Sequence, residues 1–246
     1  MKSFGIETLT KTKIVGVKEK EAAKAKILRL DIELPDGSKK TLETDVILVS
    51  VGRRPNSDKI GLEKVGVKLD SRGNILVDQQ GKTNIPGIFA IGDVVEGPML
   101  AHKASEEGIA AVEIIAGHSP KIEYMAIPNV VYTHPEVASV GLTEKEAQAA
   151  GVAIKVGSFP FKASSKAKCA QEEEGFIKIL IETKTERIIG LHIIGAHAAE
   201  LIAQGALAIQ NRLTLSDLIN TPYAHPTLSE ALKEAALAAL GRAIHK

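Results

Sequence analysis

The run VILVSV at positions 46–51 constrains this chain more than any other stretch. It is apolar at both odd and even positions, so a strand built from it buries two faces and needs cover on each. Such a strand belongs inside an α/β sheet. It runs into Gly52-Arg53-Arg54-Pro55-Asn56, and a strand that opens through glycine onto a loop is where α/β sheets bind ligands. Ahead of it lies only strand material. Residues 12–17 read as a short strand, and 26–34 alternate with Leu28, Leu30, Ile32 and Leu34 on one face. Pro35-Asp36-Gly37 then turns the chain into a partner strand that starts near Lys40 and continues into the apolar run. No strand–GxGxxG–helix unit occurs in the 246 residues. The sheet therefore begins midway, as part of a larger fold does.

The next region is small and mixed. Residues 61–66 form a short turn or helix, and 75–77 form a strand after an Arg72-Gly73-Asn74 turn. Residues 88–91 form another strand, which stops at Gly92-Asp93. A helix follows from about Leu100 to Ala116, with Gly117 as its C′ glycine. A strand, a Gly-Asp, a loop and a helix start make a polar corner. The Asp93 carboxylate can accept from a ligand hydroxyl, and the N–H groups near Met99 to His102 face an electron-rich partner. Gly-Asp also ends many strands as a plain turn, and that reading stays open.

From Ile122 the style changes. Residues 130–133 form a strand before His134-Pro135, and Thr143 with Glu146 makes a capping box for a helix that stops at Gly151. Strands near 152–156, 176–182 and 188–194 precede a helix over 198–211 and a last helix from Thr227. Runs of strands with helices segregated around them indicate an α+β layer on an antiparallel sheet. The expected class is thus mixed α+β and α/β.

The last helix carries the chemistry. In TPYAHPTLSEALKEAALAAL, Thr227 suits the N-cap and Glu230 falls at N3, with Leu228, Ala231, Leu232, Ala235 and Leu240 on one face. Glu230 then points back toward His225. A carboxylate on one ring nitrogen fixes the tautomer and leaves the other nitrogen free as a base. The plainer alternative is that Glu230 only caps the helix and His225 is a surface histidine.

Composition removes several function classes. Thirty-one basic residues balance 30 acidic ones, for a net charge of +1, and no basic stripe with interleaved aromatics offers a nucleic-acid footprint. The run KEKEAAKAK at 18–26 mixes both signs and reads as solvated surface. No apolar window approaches the ~18 residues of a membrane-spanning helix, and the start, MKSFGIETL, lacks a signal-peptide core. Cys169 is the single cysteine, in polar surroundings, so one chain holds no disulfide and no redox pair. The histidines show no metal-ligand spacing, and no metal is expected. An intracellular setting fits.

Three stretches in this order, VGRRPN at 51–56, AIGDVVEGPMLAHKASEEG at 90–108 and AHPTLSEAL at 224–232, resemble the pyridine nucleotide–disulfide oxidoreductases. Within that family they look like the dihydrolipoamide dehydrogenases. IPNVVYTHPEVASVGLTE at 127–144 resembles the opening of the family's dimerisation domain. The resemblance implies an NAD-domain tail over 1–51, a central FAD-contacting domain over 52–122 and an interface domain over 123–246. It matches only the C-terminal half of the family pattern, since the Rossmann glycine motifs and the Cys-xxxx-Cys disulfide precede these residues.

Carried over residue by residue, the resemblance implies that Asp93 bonds the ribityl chain of FAD. Met99, Leu100, Ala101 and His102 would lie against the flavin by their backbone. Gly52 and Ile14 match positions that approach NAD. His225 matches the catalytic base and Glu230 its orienting carboxylate. The implied reaction oxidises dihydrolipoamide to lipoamide and reduces NAD through FAD and a redox disulfide. The implied partners are a second copy in a homodimer and the lipoyl groups of 2-oxo acid dehydrogenase complexes. The compartment would be the cytoplasm, or the mitochondrial matrix in a eukaryote. Two alternatives stand beside it: a glutathione reductase-like enzyme, which shares the His-Pro-Thr-x-Ser-Glu pattern, and a non-catalytic dimerisation module. Without the disulfide, this chain alone is expected not to turn over.

Overall fold

Strict alternation and tight turns build the first sheet. The computed structural model describes residues 5–22 and 25–245. Strands β1 (Lys13–Ala22), β2 (Ala25–Glu33) and β3 (Lys39–Thr44) form an antiparallel meander in the order β1-β2-β3. The β2–β3 turn is fastened by Asp36, whose carboxylate accepts from the Ser38 N–H at 2.9 Å, and Gly37 takes φ +82° there. Ile14 and Ile32 sit opposite each other in the β1–β2 register, and Ile32 is buried while Ile14 is exposed. β1 extends further than its apolar part, into the charged run, of which Ala23 and Lys24 lie outside the described residues.

The apolar run at 46–51 is not a strand. β3 ends at Thr44, and Val46, Leu48, Val49 and Val51 are 73–88% exposed. A strand buried on both faces is made by its neighbours, and no strand pairs with this run among the described residues. The polypeptide separates here into two units, Met1–Arg53 and Arg54–Lys246.

In the second unit, α1 (Leu62–Val65) is a single turn between Gly61 and Gly66. The strands expected at 75–77 and 88–91 are reduced to isolated bridges, Leu69 with Ile75 and Lys82 with Phe89. The N–H groups there serve other partners, Ile75 on the Val94 carbonyl and Ile88 on the Ile85 carbonyl of its own turn, while Asp70 and Asp78 each accept two backbone N–H groups of the adjoining loops. Val67, Ile75, Ala90 and Val95 close a small core beneath the loops. Residues Gly92–Val94 form one 3₁₀ turn, and α2 (Ala101–Ile115) follows. It ends in a Schellman motif, with His118 N–H on the Glu113 carbonyl and Gly117 N–H on the Ile114 carbonyl.

The remaining elements are β4 (Asn129–Val131), β5 (Glu136–Gly141), α3 (Glu144–Ala149), β6 (Ile154–Pro160), α4 (Ser165–Ala170), β7 (Phe176–Glu182), β8 (Ile188–Gly195), α5 (Ala198–Gln210), α6 (Leu215–Asn220) and α7 (Glu230–Ala238). The five strands form an antiparallel sheet ordered β4-β5-β8-β7-β6. Its register aligns Ala138, Ile193, Ile177 and Phe159 in one cross-strand row and Val140, Leu191, Ile179 and Gly157 in the next. Both rows belong to the main core, which α5 and α7 cover. The alternate row, Ser139, His192, Lys178 and Ser158, is polar, and Lys178 bonds Glu144 at 2.6 Å.

Glycine sets how closely the helices approach. A Cβ on Gly157 would stand 2.0 Å from the Ala235 carbonyl oxygen, so α7 lies directly on the backbone of β6. The apolar face of α7 is therefore consumed within the chain. Ala231, Leu232, Ala235 and Ile188 are all buried, and only Leu240, expected on that face, turns outward past the helix end.

Candidate active site

His225 reaches the site from the loop between α6 and α7, and Glu230 is the first residue of α7. The His225 Nδ1 lies 2.9 Å from Glu230 Oε1. The other Glu230 oxygen, Oε2, accepts the Thr227 N–H at 2.7 Å. Thr227 does not cap the helix, as the capping-box pattern predicts. Its hydroxyl donates to the Ala224 carbonyl at 2.7 Å, and α7 begins three residues later, after a tight turn. Only the reciprocal half of the box survives, and it ties Glu230 to the loop that carries His225.

The electrostatics follow from this geometry. Burial works to raise the Glu230 carboxyl, but the Thr227 N–H and the His225 ring outweigh it and hold the group below its ordinary value. An ionised acceptor on Nδ1 requires the proton there, so Nε2 is left with its lone pair. Nε2 has no partner among the described residues, and the ring is well exposed. The pair is thus a base presented to an incoming acid.

A second imidazole–carboxylate pair sits one helical turn further on. Glu234 is buried, accepts from the Ile244 and His245 N–H groups at 2.9 and 3.1 Å, and meets His245 Nδ1 at 3.1 Å. It straps the C-terminal residues to α7, and His245 adds its charge to the field at Glu230. The cleft holding both pairs is small, about 30 Å³, and includes Phe159, Ser164 and Ser165. None of residues 92–102 lines it. Sequence reasoning missed this pair, because nothing in GRAIHK marks a histidine that folds back eleven residues.

The other expected residues gather elsewhere. Asp93 is exposed on the 3₁₀ turn before α2, and Gly92 adopts φ +73°, a conformation that suits glycine. The start of α2 has no side-chain cap: Leu100 is extended, and Ala101 and His102 open the helix. His102 Nε2 lies 2.7 Å from the Pro128 carbonyl, so that ring is occupied in joining α2 to the β4 segment. Beneath them Glu107, buried, bonds the Gly92 N–H at 2.8 Å, Lys103 Nζ at 2.9 Å and the Tyr124 hydroxyl at 3.1 Å. Burial first, and then the Glu107 charge, pushes the Tyr124 phenol up to about 12. The i,i+4 spacing of Lys103 and Glu107 is visible in the sequence, but it reads there as a surface pair.

Ile14 and Gly52 lie in the first unit. Ile14 is exposed on β1, and Gly52 takes φ +100° with open space where a Cβ would stand. Cys169 is exposed, and the described residues hold no cluster of three metal-ligating side chains.

Residues 127–236 match the pyridine nucleotide-disulphide oxidoreductase dimerisation domain, and residues 1–108 match the pyridine nucleotide-disulphide oxidoreductase model. The chain belongs to the pyridine nucleotide–disulphide oxidoreductases. Within that family it is 48% identical over 243 residues to the mitochondrial dihydrolipoyl dehydrogenase of Caenorhabditis elegans, covering 98% of this chain and 48% of that protein. It is 50% identical over 219 residues to the dihydrolipoyl dehydrogenase of Trypanosoma brucei brucei, covering 89% of this chain and 46% of that one. Among solved structures, LpdA of Mycobacterium tuberculosis superposes with a TM-score of 0.81 at 30% identity, over 92% of this chain and 48% of that chain. The chain spans about half the length of the curated relatives it matches. The chain carries the family's dimerisation domain, and among the described residues no helix is long and apolar enough to cross a membrane.

Proposed function

We propose that this chain supplies the acid–base histidine and the flavin-side turn of a dihydrolipoyl dehydrogenase reaction. The observation that carries the reading is the His225–Glu230 contact at 2.9 Å, with the second Glu230 oxygen locked by Thr227. In this reading His225 Nε2 takes the proton of a dihydrolipoamide thiol, and the thiolate so formed attacks a disulfide sulfur. Glu230 stabilises the imidazolium. Cys169 is the single cysteine of the chain, so the reacting disulfide is drawn from outside these 246 residues.

The flavin side rests on the second cluster. The uncapped start of α2 suits an electron-rich ring, and exposed Asp93 suits a hydroxyl donor, so both fit the middle of FAD. Asp93 takes the ribityl chain, and the backbone of Met99, Leu100, Ala101 and His102 faces the ring. Bound FAD supplies the relay of two electrons from dithiol to NAD, which Gly52 and Ile14 approach. The working divisions are 1–51, 52–122 and 123–246. The dimerisation-domain match over 127–236 supports a homodimer, in which His225 of one chain serves the flavin side of the other. Lipoyl groups of 2-oxo acid dehydrogenase complexes are the dithiol source. The compartment is then the cytoplasm, or the mitochondrial matrix in a eukaryote.

The test joins this chain to a disulfide-bearing N-terminal half from one of the relatives and follows NADH formation from dihydrolipoamide. His225→Gln is expected to lower turnover by ~10²–10⁴, the usual worth of a positioned base. NADH oxidation by an artificial electron acceptor, which bypasses the thiol step, stays within about twofold. Equal loss in both assays would sink the acid–base role.

A further inference from the structure

Glu107 joins three segments of the second unit through one buried carboxylate. It is buried in α2 and receives three donors from three segments: Gly92 from the turn, Lys103 one helical turn back, and Tyr124 from the linker that leads to the sheet. Lys103, also buried, bonds both Glu107 oxygens, at 2.9 and 3.0 Å. The loop between the turn and the helix is fitted around this pair. A Cβ on Gly97 would stand 3.1 Å from Lys103 Cε, and one on Gly92 would stand 3.0 Å from Ala104 Cβ.

Burying two charges is costly, and a hydrophobic pair of similar volume commonly serves stability as well. What a hydrophobic pair cannot do is accept the Gly92 N–H. That bond places the residue directly before Asp93, and Lys103 donates to both carboxylate oxygens and so holds the group against the turn. The Tyr124 phenol, pushed up to about 12, stays protonated and donates across the working pH range.

We propose that Glu107 is the positioning residue of the flavin-side turn: held by Lys103 and Tyr124, its carboxylate grips the Gly92 N–H and so fixes Asp93 relative to the start of α2. The flavin part of this inference rests on the function proposed above. The grip itself does not, and the experiment separates them.

Amide hydrogen exchange is measured on the chain for wild type, Glu107→Gln and the double variant Lys103→Met with Glu107→Met. The double variant removes both charges, keeps the buried volume and strands no ion, so it folds. If Glu107 grips the turn, the Gly92 amide in the double variant exchanges ~30-fold faster or more, while amides of β7 and β8 are unchanged. Glu107→Gln, which keeps one acceptor oxygen, falls between that and wild type. Gly92 exchange within about threefold of wild type in the double variant, or equal acceleration throughout the sheet, overturns the proposal. FAD is then titrated by fluorescence against the same proteins and against Asp93→Asn. Weakening of ~10-fold or more in both Asp93→Asn and the double variant supports the flavin link. Loss in Asp93→Asn alone overturns it. No FAD affinity in wild type defeats the flavin reading and leaves the exchange result to decide the grip.

Discussion

The two sheets of this protein are both antiparallel, and only one of them makes a core. In the five-stranded sheet, two cross-strand rows are packed beneath α5 and α7, and the row between them, Ser139, His192, Lys178 and Ser158, is polar. In the three-stranded sheet, Ile32 is the only side chain of β1–β3 that is fully buried among the described ones, and Ile14, Val15 and Val17 are exposed. The run after β3 is left in solvent. Hydrogen-bonded ladders alone therefore do not complete a domain; a helix layer on one face does. The difference also sorts the expected site residues. Those seated on the covered sheet, His225 and Glu230, are fully assembled, whereas Ile14 and Gly52 have no close neighbours that define a pocket.

The contrast can be broken from the core outward. Ile179→Ala, at the centre of a buried row, is expected to cost about 2–5 kcal/mol in urea unfolding of the 54–246 unit. A cost under about 0.5 kcal/mol would mean that this row is not the core it resembles.

A smaller effect lies at the α3 cap. Glu146 is held below its ordinary value of 4.5 chiefly by the Thr143 N–H and then by its hydroxyl. A carboxyl lowered on folding contributes stability above its unfolded value and loses it as pH falls through the folded one. Thr143→Ala should thus cost ~1 kcal/mol near neutral pH. The penalty should shrink as pH falls through the lowered folded value, where Glu146 takes up a proton and the reciprocal bonds are lost. A penalty independent of pH would place the loss in the hydroxyl alone.

The smallest effect belongs to the first unit. Leu48→Ser changes a side chain that is 88% exposed, and its unfolding midpoint should move by less than ~0.5 kcal/mol. A larger destabilisation in the chain by itself would show that the 46–51 run is covered in solution.

Much of the covered sheet was legible because its signals are local. β7 falls where alternation puts it, the α3 box is complete, and Gly117 ends α2. What failed depended on neighbours. The 46–51 run carries the composition of a central strand, but a strand is realised only by flanking strands. The strands expected at Ile75 and Phe89 are single bridges, since the Ile75 N–H turns to the Val94 carbonyl and the Ile88 N–H to Ile85 of its own turn, partners that periodicity does not mark. The short helices α4 and α6 offer too few turns for a periodic pattern, although Ser164 and Thr214 cap them. At the site, His225 and Glu230 were readable from spacing. Lys103, Glu107 and Tyr124 were not, since burial of a charged pair is decided by the turn that folds over it.

One consequence of the Glu230 geometry concerns information rather than strength. Its two oxygens face two N–H donors, the Thr227 amide and His225 Nδ1, so the residue acts as a template that accepts on both sides. Glutamine is the same length but asymmetric. With its oxygen on the Thr227 amide, its NH₂ group faces Nδ1 and can be accommodated only if that nitrogen gives up its proton. The ring then carries hydrogen on Nε2, the atom offered to the outside. Exchanging one oxygen for one nitrogen thus leaves every heavy atom in place and turns an acceptor into a donor, so that the polarity of a histidine is written in the symmetry of the group behind it.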